Sequence, residues 1–197
     1  MMILGFETTD VIASVALYAD GNVISKSLSA EKRHAESVLP AAEALLRENG
    51  LSTSDMDAFA ADVGPGSFTG VRIGVTMANA LGLAHHKPVI AVNALEALAY
   101  PYKQENLPVC ALIDARNGNG YGAVYQNGVC LTEPCACEVV PFMQSLPKQC
   151  RLTGTGAEDN AMPSAEAVVR IAAEKEWEKQ VSPMYLKLSQ AERMKSC

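Results

Sequence analysis

Positive charge is scarce in this chain. Sixteen Lys and Arg stand against 22 Asp and Glu in 197 residues, a formal net charge of -6. Phosphate affinity comes mainly from Lys and Arg, so the composition argues against a lone nucleic-acid binder. Any work on nucleic acid calls for a partner that brings the positive surface. Long apolar runs are missing too, none approaching the ~18 residues that span a bilayer. The opening MMILGFETTD has no basic region and loses its apolar run at Glu7, so it is expected as a strand and not a signal peptide. The expectation is a cytoplasmic protein without a membrane partner.

Histidine is limited to His34, His85 and His86. Neighbouring His85 and His86 point apart on a helix and make poor co-ligands, and His34 is expected to be a hydrogen-bonding or interface residue, not a base. Cysteine is absent from the first half. The six in the second (Cys110, Cys130, Cys135, Cys137, Cys150, Cys197) are expected to be reduced. Cys135-Ala-Cys137 is not the C-x₂₋₄-C spacing of a zinc site, so no metal is expected.

What the chain does have is apolar content, 49% against 19% charged, enough for one domain or two small lobes. Ile3–Thr8, Val11–Leu17 and Val23–Leu28 read as an antiparallel meander with its last turn at Asp20-Gly21-Asn22. His34–Asn49 carries helical apolar spacing interrupted by Pro40. A strand follows at Ala58–Val63, a helix at Gly70–Ala84, a strand at Val89–Val92 and a helical piece at Ala94–Tyr100. Pro101–Pro108 is polar and flanked by prolines, a candidate lobe boundary. Beyond it come a strand at Val109–Asp114, strands Tyr121–Gln126 and Val129–Leu131 around an Asn127-Gly128 turn, and a helix at Ser164–Lys179. Strands followed by alternating helices and strands occur twice, which suggests two related α/β lobes: 1–102, and a reduced 103–197 with about 183–197 packing back on the first.

The most distinctive stretch is GPGSFTGVRIG, Gly64 to Gly74. A Walker A loop needs a Lys that is missing here, and the third glycine comes one residue late for a dinucleotide loop. A tight strand-to-helix turn with Thr69 as cap fits better. The helix that follows has no charge from Ile73 to Ala84. Gly74, Ala78, Leu81 and Gly82 share one face, and Arg72, Thr76 and Asn79 form a narrow polar strip. So wide an apolar surface is covered either by a second helix of the same lobe or by another protein.

GPGSFTGVRIG, together with the upstream RHAESVLP, IDAR at Ile113–Arg116, TGTG at Thr153–Gly156 and the late PMYLK, resembles the TsaB (YeaZ) family. The match covers nearly the whole chain in order. The resemblance implies an α/β actin-like ATPase (ASKHA) fold of two lobes with mixed sheets flanked by helices, the second lobe reduced. It implies a role in forming N6-threonylcarbamoyladenosine on tRNA, as a non-catalytic subunit paired with a TsaD-type catalytic subunit and joined by a TsaE-type ATPase. The tRNA is met through the complex, and the isolated chain is expected to form a homodimer. The two helices His34–Asn49 and Gly70–Ala84 become the pairing surface, with His34, Leu39, Glu43, Arg72, Gly74, Val75, Ala78, Asn79 and Gly82 at the interface.

The TsaD-type metal pair, His-x-x-x-His, falls at Ala94 and Leu98, neither of which ligates a metal. The family's usual Asp-Thr-x-Thr is Glu7-Thr8-Thr9-Asp10 here, and Asp10 adds negative charge where a triphosphate would sit. A vestigial nucleotide cleft would use Glu7, Thr8, Asp114, Arg116, Gly154 and Gly156. No catalytic residue and no cofactor are expected, with weak nucleotide binding left open. The competing interpretation is a nucleotide-binding or phosphotransfer enzyme of the same fold. A metalloprotease fits less well, for want of ligands.

Overall fold

The computed structural model describes residues 1–28 and 34–186. Lys187 to Cys197, part of the segment expected to pack back on the first lobe, lies outside the described residues, as do residues 29–33 of the RHAESVLP approach. A five-stranded sheet is built from β1 (Met2–Glu7), β2 (Ser14–Ala19), β3 (Asn22–Ser27), β4 (Ala58–Asp62) and β5 (Val89–Val92) in the order β3-β2-β1-β4-β5. The first three strands form the antiparallel meander, with its turn at Asp20 and Gly21 (φ 47° and 94°). β4 and β5 run parallel to β1 and reach their places through helical crossovers, as parallel pairing requires.

Strand periodicity divides the core in two. Leu4, Phe6, Leu17, Phe59 and Ala61 face α1 (His34–Glu48) and α2 (Phe68–His85), meeting Val38, Leu45, Val71 and Ala78. Ile3, Ala16, Ala60 and Ile90 face the other way, onto α5 (Ala165–Ala172). Both faces are covered, which accounts for the unbroken burial of Ala58 to Asp62.

A second sheet has the order β8-β7-β6-β9, from β6 (Val109–Asp114), β7 (Asn119–Gln126), β8 (Val129–Glu138) and β9 (Arg151–Thr153). α3 (Ala94–Ala99) packs on one face, where Leu95 and Leu98 meet Val109, Ala111, Ala123 and Tyr125. The short α4 (Val139–Ser145) covers the other, with the Phe142 ring over Gly122, where any side chain would clash.

The structure departs from expectation at several points. Ser67, not Thr69, caps α2, its hydroxyl accepting from the Gly70 N–H at 3.3 Å, and the helix starts at Phe68. The left-handed residue that ends it is His86 (φ 54°). Pro40 lies inside α1 on its exposed side, past the first turn, where its missing N–H costs the helix one bond. α5 stops at Ala172, well short of Lys179, and the Glu178 backbone is used in a two-way bridge to Val89 (2.8 and 2.9 Å). That helix was expected in the second lobe, but it packs on the first sheet, so the chain returns there at Ala165 and not near 183. β8 runs on to Glu138, and α4 and β9 have no counterpart in the sequence reading.

Access to β1 fixes the seat of α2. A Cβ at Gly70 would overlap the Thr8 carbonyl oxygen, and one at Gly74 would sit 2.6 Å from Thr8 Oγ1. The Thr8 hydroxyl donates to the Gly70 carbonyl at 2.7 Å in the space thus left. Gly70→Ala is therefore expected to destabilise the chain by about 2–3 kcal/mol through overpacking against backbone, read as a lower denaturation midpoint at unchanged slope.

Candidate functional site

Two surfaces meet at the start of α2. The first is a cleft of about 480 Å³ between the sheets, lined by Thr9, Asp10, His34, Gly66, Ser67, Asp114, Arg116, Tyr121 and Thr155 among others. Asp114 ends β6 and Arg116 belongs to the turn after it, where the Asp114 carboxylate accepts from the Arg116 N–H at 2.8 Å and Thr155 Oγ1 accepts from the Asp114 N–H at 3.1 Å. His34 Nε2 lies 2.8 Å from the Asp10 carbonyl. Asp10 does sit on the cleft wall, adding negative charge where an anionic ligand would enter. Of the six residues expected to line a nucleotide cleft, Asp114 and Arg116 are on its wall. Glu7 and Thr8 are fully buried beneath it. Gly154 and Gly156 are not on the wall either: both press on Leu112, and a Cβ at Gly156 would come within 2.7 Å of its Cγ. Ala94 and Leu98, the positions matched to the metal pair, are buried against the second sheet.

Beneath the cleft lies a carboxyl pair that sequence reasoning missed. Glu7 Oε1 accepts from the Thr9 N–H (2.6 Å) and hydroxyl (2.8 Å), and Asp62 Oδ1 accepts from the Gly64 N–H (2.7 Å). Both side chains are fully buried, and the remaining oxygens, Glu7 Oε2 and Asp62 Oδ2, meet no other donor. A proton held between the two carboxyls supplies what both lack. Burial first, then the adjacent Glu7 charge, pushes Asp62 well above the usual carboxylate range. Burial also raises Glu7, while hydrogen bonds from Asp62 and Thr9 hold it back. Both carboxyls are thus biased toward holding one proton between them. The available signal was a lone acid at the end of an apolar strand, one residue before the glycine loop.

The second surface is an apolar groove of about 530 Å³ between α1 and α2, lined by Ala35, Leu39, Thr69, Arg72, Ile73, Thr76, Met77 and Ala80. The small-residue face of α2 is not the outward one. Ala78 is fully buried and Val75 nearly so; Gly74 and Gly82 are buried with them, Gly82 against Val89. The sheet occupies that face because it alone lets the helix backbone approach β1 so closely. The outward residues lie on the far side of the helix from Ala78, which corrects the expected interface set at Gly74, Val75, Ala78 and Gly82. Leu39 and Arg72 do line the groove, and Glu43 is exposed on α1. His34 faces the cleft instead. Asn79 is held in a reciprocal pair with the Val181 backbone (2.8 and 3.0 Å).

With this geometry in view, comparison with known proteins is decisive. The family model described as TsaD, tRNA N6-adenosine threonylcarbamoyltransferase, matches residues 24–182. The tRNA threonylcarbamoyladenosine biosynthesis protein TsaB of Escherichia coli is 37% identical over 79% of this chain and 72% of its own length. The chain belongs to the TsaB family. The TsaB of Bacillus subtilis is 34% identical over 64% of this chain, which spans 56% of that relative. The solved structure of YeaZ from Pseudomonas aeruginosa superposes with a TM-score of 0.81 at 31% identity, covering 94% of this chain and 99% of that one. The fold is accordingly the two-lobed α/β fold with two mixed sheets shared with that structure. Among the described residues no helix is long and apolar enough to cross a membrane.

The carboxyl pair makes stability depend on pH. Folded Asp62 binds its proton more tightly than unfolded Asp62, so its contribution is full in acid and is lost as pH rises from the ordinary carboxylate range through the raised folded value. Asp62→Asn keeps the shape and a donor to Glu7 but removes this titration. Its Tm is expected to gain steadily on that of the wild type as pH rises above the ordinary carboxylate range, measured by thermal melts at increasing pH. A constant difference would exclude a shared proton.

Proposed function

We propose that this chain is a non-catalytic subunit of the cytoplasmic machinery that forms threonylcarbamoyladenosine on tRNA, and that it docks on a TsaD-type catalytic subunit through the α1–α2 groove. The observation that carries this is the groove itself: apolar side chains from two helices, in a family whose members are generally not the catalytic ones. A TsaE-type ATPase joins the pair, and tRNA is engaged through the assembly, consistent with the acidic chain. Without its partner the same groove joins two copies, since apolar surface of this kind is otherwise left in water. The cleft beside Asp114 and Arg116 supports a second, weaker function as a vestigial nucleotide site, with Asp10 opposing a triphosphate.

The test is sedimentation of the chain alone and mixed with the TsaD-type subunit of the same organism. A heterodimer should form, and Ile73→Glu should weaken it by at least about a hundredfold while circular dichroism and Tm stay near wild type. A charge at buried Ala78 would disrupt the lobe itself, so outward Ile73 is the informative position. Absence of a heterodimer with a competent subunit would remove this function.

A further inference from the structure

The chain ending at the described C-terminus does more than cover α2. From Glu178 onward it runs as a strap across the first lobe, tied at Val89, at Asn79 and at Val63, whose carbonyl accepts from the Met184 N–H at 2.7 Å. It delivers Tyr185 to the first turns of α2. There the Tyr185 and Phe68 rings stack with centroids 4.7 Å apart. The Arg72 guanidinium lies 3.8 Å over the Phe68 ring, and its Nε–H donates to the Tyr185 hydroxyl at 2.9 Å.

This arrangement fixes a flexible side chain without using its charge. The one Arg72 donor engaged is Nε–H; the two terminal nitrogens have no bond and no acidic partner among the described residues. Arg72 is exposed, and it also lines the α1–α2 groove, so the open fork stands at the rim of an apolar surface. A guanidinium stacked on an aromatic ring and held through Nε has little entropy left to lose, and its planar fork matches a carboxylate in bidentate fashion.

We infer that Phe68 and Tyr185 clamp Arg72 as a preset carboxylate receptor. The occupant of the groove is then a helix of the protein partner that carries an Asp or Glu beside its apolar face. This rests on the proposed docking function and specifies its chemistry. The strap makes Tyr185 a positioning residue for the interface, although it comes from the far end of the chain. A phosphate would satisfy the fork equally, but the apolar groove continuous with Arg72 suits a protein helix and offers nothing to a nucleic-acid backbone.

The experiment is calorimetric titration of the TsaD-type subunit with the full chain, its Arg72→Lys and Tyr185→Phe variants and the double variant, with Tm as a fold control and tRNA affinity measured in parallel. Arg72→Lys, which keeps the charge and loses the fork, is expected to weaken the heterodimer about tenfold. Tyr185→Phe, which keeps the stack and loses the hydrogen bond, is expected to weaken it about fivefold. In the double variant the Tyr185 change should add nothing, because its effect passes through the fork. Wild-type binding with unaltered affinity in both variants would overturn the clamp and leave the docking function standing. Loss of tRNA affinity with unchanged subunit binding would also overturn it, in favour of phosphate. If the wild-type chain fails to bind the subunit, the docking function falls and the clamp with it.

Discussion

The closeness of α2 to β1 is the constraint on which the rest of this structure hangs. Gly70 and Gly74 put helix backbone and the Thr8 side chain in a space that admits no further carbon, and the Thr8 hydroxyl bonds the Gly70 carbonyl within it. Once the glycine face is committed to the sheet, helix geometry decides everything else about α2. One flank, with Arg72 and Asn79, turns to the strap of residues 178–185. The other, with Ile73, Thr76, Met77 and Ala80, turns outward beside α1 and makes the groove. The conspicuous glycines thus serve packing, and the less conspicuous residues between them make the surface.

The same seat organises the cleft. Thr9, whose carbonyl accepts from the Ser67 N–H at 2.7 Å, links the start of α2 to the loop after β1. Directly behind it, Thr9 also donates twice to Glu7, which shares its proton with Asp62. A buried acid pair held neutral by half is a costly arrangement; Thr9 and the Gly64 N–H satisfy one oxygen of each carboxyl, and the shared proton is left to serve Glu7 Oε2 and Asp62 Oδ2. The first N–H of the loop that resembles a phosphate grip, that of Gly64, is therefore already engaged by Asp62.

Much of the fold was legible in local pattern. The meander follows from alternation and from Asp20-Gly21, the edges of β5 and β6 fall where the apolar runs begin and end, and Asn127-Gly128 (φ 52° and 77°) closes its hairpin as that dipeptide does. The groups that were not legible depend on contacts distant in sequence. α5 ends before the segment in which Glu178 pairs with Val89, and it lies on the first sheet because its buried face, with Val168 and Val169, packs on Ile3, Ala16, Ala60 and Ile90, while Ser14 Oγ accepts from the Ala165 N–H at 2.9 Å. The wheel of α2 showed a broad apolar surface but not its zero point. Only the position of Thr8 tells which third of that surface meets the sheet. Asp62 gives no signal of its pairing in the sequence because a single acid in an apolar strand has no partner in its own neighbourhood, and Glu7 is far away along the chain.

The central claim is that the outward side of the α1–α2 pair is the working surface of this protein. Hydrogen exchange of the chain, free and with a TsaD-type subunit, tests it most directly. The account predicts new protection confined to α1 and to the first half of α2, with the Asp114–Arg116 turn exchanging as before. Protection at that turn with α1 and α2 unchanged would contradict it and make the cleft the working surface instead.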